Sequence, residues 1–385
     1  MFHPLGKLTV ESFLKNYWQK KPVLIRSGIP GFTSPISAEE LAGLSLDEDV
    51  ESRLICQKSS GDWLCRQGPF DDETFNQLGQ SQWTLLVQAV DQLYPDVSEL
   101  WDYFRFIPSW RFDDVMVSFS VPDGGVGPHI DNYDVFLIQA QGSRHWKIGE
   151  QDKFEREFVA ANGLRQVKDF KSVIDVVTEP GDILYIPPRC PHHGTSIDAS
   201  ITYSMGFRSP TQKELFSYVA DKVLDDEELE DRFYRDPQIS PEAPDGEISA
   251  DDLEQLVKLL QDTLNDKPRL FAYLGQLLSE RKYPDIEQPQ VDMTWKEIVS
   301  LAKQGTLLHR DSATRSFYIE QPNLVELFIN GQDYKLRSDG LQLAQALCDD
   351  TAVEPDFLLS DDLTTLEKEL LQNLINEGAW YFASE

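Results

Sequence analysis

The sequence predicts an α+β protein: a double-stranded β-helix, or jelly roll, followed by a helical region and a C-terminal winged-helix-like domain. Three observations predict it. Between Asp113 and Phe207 the chain is a succession of short β-prone runs separated by Gly/Pro turns, the texture of a closed or doubled antiparallel sheet. Beyond Phe207 the apolar residues recur at helical spacing. Further on, Asn330-Gly331 lies between two strand-like runs, a strong hairpin signal. These breaks divide the chain into an expected first domain over 1–208, a helical region over 209–284 and a third domain over 285–385.

The elements follow in order. Asp113 to Ser120 is β-prone, and Pro122 to Gly127 is a Gly-rich turn. Pro128-His129-Ile130-Asp131 then begins a new strand or forms its lip. Tyr133 to Gln139 reads as a buried strand, since it is apolar almost throughout. Gly142 marks a turn, and Arg144 to Ile148 alternates again. Pro180-Gly181-Asp182 turns into the run Ile183 to Pro188, and Ile201 to Phe207 makes the final strand. In the helical region, Thr211 with Glu214 forms a capping box ahead of a stripe of Leu215, Val219, Val223 and Leu224. Ser249 opens a second helix with Leu253, Leu256, Leu260 and Leu264 on one face, and Lys267-Pro268 opens a third. After Tyr283 to Pro289, a linker by composition, a helix is expected over Thr294 to Lys303. Strands follow at Ser316 to Ile319, Leu324 to Ile329 and Gln332 to Leu336. Further helices are expected over Gly340 to Cys348 and Leu363 to Asn376.

The chemistry concentrates at His129-Ile-Asp131. On an extended strand these two side chains share a face, because strand side chains alternate with period two. A second imidazole from the later Pro191-His192-His193 would complete a two-His, one-carboxylate facial triad, the ligand set of non-haem Fe(II) oxygenases. A lone His-x-Asp recurs by chance in many proteins. Here, though, two imidazoles come from separate Gly/Pro-bounded strands in a chain with six histidines. Adjacent strand residues face opposite sides, so one of His192 and His193 points inward. Cys190 is nearby, and a strained loop cysteine is the plainer reading than a fourth ligand.

Several longer segments carry a resemblance. They are Phe13-Leu14, Tyr17-Trp18-Gln19-Lys20-Lys21-Pro22-Val23-Leu24, Ser118-Phe119-Ser120-Val121-Pro122 and Gly124 to Asp131. Tyr133-Asp134-Val135-Phe136, Pro180 to Pro188 and Tyr203 to Arg208 complete the set. Together they resemble the cupin-like JmjC 2-oxoglutarate/Fe(II) oxygenases, most of all the branch of bacterial ribosomal oxygenases. The similarity extends weakly to the C-terminus. It implies His129, Asp131 and His192 as the catalytic Fe(II) ligands, His192 being chosen because it directly follows Pro191. It also implies Arg144 as the residue that binds the distal carboxylate of 2-oxoglutarate. An arginine suits that task, offering a planar two-pronged donor to a carboxylate, although many JmjC enzymes use lysine. Lys147, three residues on, faces the opposite side of a regular strand. Ser118 and Ser120 share a face, and Ser118 is the expected second contact to the co-substrate, as a small hydroxyl able to donate to a carboxylate.

The resemblance further implies the reaction. Substrate hydroxylation is coupled to oxidative decarboxylation of 2-oxoglutarate by O2, and the target is an arginine of a large-subunit ribosomal protein. It implies a homodimer built through the helical region. Asp123 and Asp134, near the motif, are the acidic candidates for holding a guanidinium. Three other readings compete. A cupin-type metalloenzyme that does not use 2-oxoglutarate would commonly show His-x-His, which Asp131 argues against. A JmjC protein demethylase and a non-catalytic binding protein are the other two.

Composition bounds the partners. The formal net charge is −31, which repels nucleic-acid phosphates and favours encounter with a basic protein. Direct nucleic-acid binding is therefore not expected, and the segment Leu363 to Asn376, with Glu367, Lys368 and Glu369, is no basic recognition helix. The four cysteines show neither CxxC spacing nor a pairing framework. No signal segment is evident, and no apolar run reaches the roughly 18 residues that span a bilayer. A cytoplasmic protein without membrane association is expected. Walker-type loops, GxGxxG at a strand–helix junction, GxSxG and internal repeats are all missing.

Overall fold

The computed structural model describes residues 2–57, 63–155, 157–159, 165–236, 244, 246–284, 286 and 288–383. Among the described residues, thirteen strands precede Ser209: β1 (Val23–Ile25), β2 (Ser52–Gln57), β3 (Trp63–Gln67), β4 (Trp83–Val87), β5 (Phe112–Ser120), β6 (Asp134–Gln141), β7 (Arg144–Gly149), β8 (Glu157–Val159), β9 (Arg165–Val167), β10 (Ser172–Thr178), β11 (Ile183–Ile186), β12 (His192–Ser196) and β13 (Ser200–Phe207). Eight form one sheet in the order β1-β11-β6-β13-β5-β4-β2-β3, and three form a second in the order β10-β7-β12. Their pairings are antiparallel. The expected jelly roll is present, and the N-terminal strands β1 to β4, which the sequence did not announce, widen its larger sheet.

Alternation decides what each face of the large sheet buries. Val115 and Val117 of β5, with Phe136 and Ile138 of β6 and Tyr203 and Met205 of β13, enter one large core. The N-terminal helix Val10–Asn16 covers that core through Phe13, which is wholly buried. Each such aromatic or aliphatic side chain contributes about 1.5–3 kcal/mol on burial, so the back of this sheet is a major source of apolar stabilisation. The intervening residues face the small sheet, where Val135 and Leu137 meet Trp146, Ile148 and Cys190. Buried on both faces, β6 reads as a continuous apolar run for that reason. With this core on one face, residues of the other face line a cavity.

The chain divides into two compact units that do not follow chain order. One comprises Met1–Ser209, Lys282–Ala313 and Glu354–Glu385, and the other Pro210–Arg281 and Thr314–Val353. In the second unit, helix Gln212–Asp225 begins at the Thr211/Glu214 capping box and helix Ala250–Asn265 at a Ser249/Asp252 box. Helix Lys267–Ser279 follows. Strands Ser316–Gln321, Leu324–Ile329 and Gln332–Arg337 form a sheet. Its hairpin turns at Asn330 (φ +50°) and Gly331 (φ +84°), both left-handed as a type I′ turn requires. Gly275 lets the helix approach this sheet, since a Cβ there would lie 2.2 Å from the Phe328 ring. In the first unit, helices Trp295–Lys303 and Thr365–Asn376 accompany the pairing of Leu308–Arg310 with Trp380–Phe382.

Among the described residues, nothing buries the stripe on Ala250–Asn265. No residue of that helix is buried, and Leu253, Leu256 and Leu260 are exposed. Leu224, expected on the first helical stripe, is also exposed.

Candidate active site

The connection from β5 to β6 builds the site. Gly127 turns it at φ +80°, in space where a Cβ would lie 3.0 Å from the Trp63 indole nitrogen. His129 then makes an isolated bridge with His192 at the start of β12. Each backbone N–H donates to the other's carbonyl, at 3.0 and 2.9 Å. His129 is thus on the lip of the sheet rather than inside a strand, and β6 begins at Asp134. The imidazole centroids lie 4.1 Å apart.

Tautomers are set from behind. His129 Nδ1 lies 2.9 Å from the Gly127 carbonyl, and His192 Nδ1 lies 2.9 Å from that of Cys190. A carbonyl only accepts, so each Nδ1 carries a proton, which in the neutral ring leaves Nε2 to present a lone pair. Asp131 Oδ2 is 3.5 Å from His192 Nε2 and 4.0 Å from His129 Nε2. The three potential ligand atoms all lie within 4.8 Å of one another. Burial, and secondarily the neighbouring His129 imidazole, lowers the pKa of His192 to about 4. The ring is therefore neutral at ordinary pH, as a metal ligand must be. Of the adjacent histidines, His192 is buried and lines the cavity, while His193 sits on the other side of β12.

Arg144 enters from the small sheet. It is 4% exposed, its guanidinium lies 5.1 Å from the Trp146 ring, and Nη1 reaches 3.4 Å from the Ser118 hydroxyl on the large sheet. Its Nε has no hydrogen-bond partner. Among the described residues no carboxylate pairs with it. Burial lowers its pKa to about 10, which still leaves it charged. A buried, unpaired guanidinium is unfavourable unless an anion joins it. Ser118 is also held by its own donation to the Thr202 carbonyl at 3.3 Å.

Both features open on one cavity of about 620 Å³. His129, Asp131 and His192 lie on its wall with Arg144 and Ser118, as do Asn132 and Tyr133. Asp131 is the main cause holding the Tyr133 phenol protonated well above its ordinary range. A group bound between triad and guanidinium needs a metal-chelating end and an anionic end, and the residues present fit an Fe(II)-bound dicarboxylate. The cavity also draws in residues that pattern reading missed, namely Arg53 on β2 and Thr202 and Ser204 on β13. Only strand order could have found them.

Other candidates fall away. Asp123 lies exposed in a turn at φ +60°. Asp134 is wholly buried, 3.1 Å from Arg111 and 2.5 Å from the Tyr185 hydroxyl. Alternation on β6 explains it: Val135 faces the cavity, so Asp134 cannot. Ser120 is satisfied by Thr84 at 2.8 Å, Lys147 is exposed, and the Cys190 thiol is packed in the apolar cluster, its pKa raised to about 12 by burial.

A JmjC domain model matches residues 99–215, and a ROXA-like winged-helix model matches residues 258–381. With the jelly roll, triad and buried arginine, this makes the protein a JmjC-type 2-oxoglutarate/Fe(II) oxygenase. The chain is 36% identical over 381 residues to the ribosomal protein uL16 3-hydroxylase of Escherichia coli, covering 96% of each. The chain belongs to the ribosomal oxygenase family. The crystal structure of E. coli ycfD matches with a TM-score of 0.89 at 35% identity, covering 98% of this chain and 99% of that one. The same E. coli ribosomal oxygenase in complex with cobalt and 2-oxoglutarate matches at 0.86 and 36% identity, with the same coverage.

Proposed function

We propose that this protein hydroxylates an arginine side chain of a large-subunit ribosomal protein, using Fe(II), 2-oxoglutarate and O2. In this reading His129, Asp131 and His192 hold the metal, and Arg144, assisted by Ser118, binds the distal carboxylate of 2-oxoglutarate. The observation that carries it is the buried Arg144 guanidinium, without a carboxylate among the described residues and sharing one cavity with the triad. The E. coli relative bound to cobalt and 2-oxoglutarate, and the uL16 3-hydroxylase, support the same assignment.

Bound Fe(II) supplies O2 activation coupled to conversion of 2-oxoglutarate to succinate and CO2. The chain's own residues orient and shield. The Gly127 and Cys190 carbonyls hold each imidazole with Nε2 forward. Trp146, Val135 and Leu137 wall the cavity with apolar surface, which keeps water from competing there. The Arg144 guanidinium presents parallel N–H donors to one carboxylate and so fixes the co-substrate's rotation.

Arginine as the target rests on the family and on charge. Tyr133, on the cavity wall, offers an aromatic face to a guanidinium. The net charge of −31 favours a basic protein and disfavours direct nucleic-acid binding. A ribosomal substrate implies action in the cytoplasm, and no described helix is long and apolar enough to cross a membrane. The face of Ala250–Asn265, exposed among the described residues, supports a homodimer through 209–284, between an oxygenase domain over 1–208 and a winged-helix-like interaction or scaffold module over 285–385.

The test is anaerobic loading with Fe(II) and 2-oxoglutarate, then O2, then mass spectrometry of a basic ribosomal-protein mixture, with His129→Ala as control. The expected result is one added oxygen atom on an arginine-containing peptide, absent in the control. Succinate without a modified peptide would remove the ribosomal substrate, and loss of a methyl group would favour demethylation.

A further inference from the structure

Arg189 adopts a left-handed backbone, φ +61°, three residues before His192. A residue with a Cβ is disfavoured there, and such strain persists only where the surroundings over-determine it. The surroundings do so from both sides. Toward the site, the Arg189 N–H donates to the Asp131 carbonyl at 2.7 Å. Away from it, the Arg189 carbonyl accepts the Asp152 N–H at 3.0 Å. The Arg189 side chain pairs with the Asp152 carboxylate and lies over the Phe154 ring at 5.6 Å. One residue on, the Cys190 carbonyl fixes His192 Nδ1. A single turn therefore touches two of the three triad members.

We propose that Arg189 and Asp152 form a latch that positions Asp131 and His192 for the metal. Neither latch residue lines the cavity, so both are positioning residues. The inference rests on the triad being the metal site.

Asp131 is the member that most needs such a latch. Among the described residues its carboxylate accepts no hydrogen bond, and the two imidazole Nε2 atoms lie 4.0 and 3.5 Å from it. Its aim therefore depends on its backbone, which the Arg189 N–H anchors. If the turn relaxed to negative φ, that N–H would rotate away and the carboxylate would lose its bearing. The ion pair itself is half exposed, at 40% and 58% for the two side chains, and pairs so exposed add little stability by themselves.

Co(II) titration with the full chain tests this, read by calorimetry and by the visible spectrum of bound cobalt, beside thermal unfolding. Arg189→Ala keeps the strain and loses the latch. Its Co(II) affinity is expected to fall about tenfold or more, the usual effect of losing a partner that orients a ligand. Asp152→Asn is expected to fall in the same direction with an unchanged Tm. Arg189→Gly, which reaches the same φ freely, is expected to restore affinity and spectrum. Wild-type affinity in Arg189→Ala, or equal loss in the Gly and Ala variants, would overturn the latch. If Arg189→Ala fails to fold, Asp152→Asn decides alone: unchanged affinity overturns the proposal. No Co(II) binding by the wild type, matching His129→Ala, would instead remove the metal-site reading itself.

Discussion

The Arg144 guanidinium crosses the interior from the small sheet to lie 3.4 Å from the Ser118 hydroxyl on the large one, and nothing anionic among the described residues answers its charge. Function and stability therefore pull against each other at this position. Arg144→Met removes an uncompensated buried charge, and replacement of buried charges by apolar residues of similar size is commonly neutral or stabilising. The expected outcome is an unchanged or higher Tm for the ligand-free protein. The same variant should lose 2-oxoglutarate affinity by at least about thirtyfold, since truncating one partner of a buried charge pair costs about 2–5 kcal/mol. Thermal unfolding with and without 2-oxoglutarate checks both halves. A destabilised apo variant that still binds co-substrate would contradict the assignment.

What the sequence exposed and what it hid divide along a physical line. His129 and Asp131 were legible because a two-residue spacing needs no long-range knowledge. The choice of His192 over His193 was not legible from alternation alone, because the phase of β12 is set by its register with β7, where His192 lies opposite Ile148. Asp134 misled for a related reason: one residue's difference in strand phase sends it beneath β6 rather than into the cavity. Arg53, Thr202 and Ser204 reach the cavity only through the strand order β13-β5-β4-β2, which no local pattern encodes. The leucine stripe on Ala250–Asn265 announced a helix correctly, but periodicity does not say what covers it. Nor does it reveal that the segments after Arg281 and after Val353 return to the unit that holds the site.

Acid should destabilise the protein in a defined window. Burial lowers the pKa of both His192 and His193 to about 4, against 6.5 for the ordinary side chain. Below 6.5 the unfolded chain binds protons that the folded protein refuses, so stability falls as pH falls from about 6.5 toward 4. Below about 4 both states are protonated and these two groups add no further slope. Urea midpoints for the metal-free protein across that range should show the decline, and His193→Gln should make it shallower. A flat profile, or an unaltered slope in the variant, would contradict the burial argument.

Gly194 connects packing to co-substrate binding. It lies opposite Trp146 on β7, and a Cβ there would sit 2.7 Å from the indole. That indole underlies the Arg144 guanidinium at 5.1 Å and lies 6.2 Å from the His192 ring. Gly194→Ala should displace it, at about 1–3 kcal/mol for overpacking, and raise the KM for 2-oxoglutarate while leaving Ser118 and the triad chemically intact. A drop in Tm with an unchanged KM would mean that Trp146 supports the core without aiming Arg144.

The open face of Ala250–Asn265 makes the last prediction a matter of assembly. Leu253, Leu256, Val257 and Leu260 are 52%, 45%, 50% and 70% exposed, a contiguous apolar strip of the kind that marks an interface. Pairing with the same strip of a second copy needs no complementarity beyond its own, since a two-fold interface is self-complementary. Leu256→Glu with Leu260→Glu would place two carboxylates on each side of such an interface and should give a monomer by sedimentation. Neither side chain is buried within the protomer, so the monomer should unfold at a Tm lowered only by the lost association. A wild-type monomer would remove the homodimer, and a double variant that remains dimeric would move its contact elsewhere.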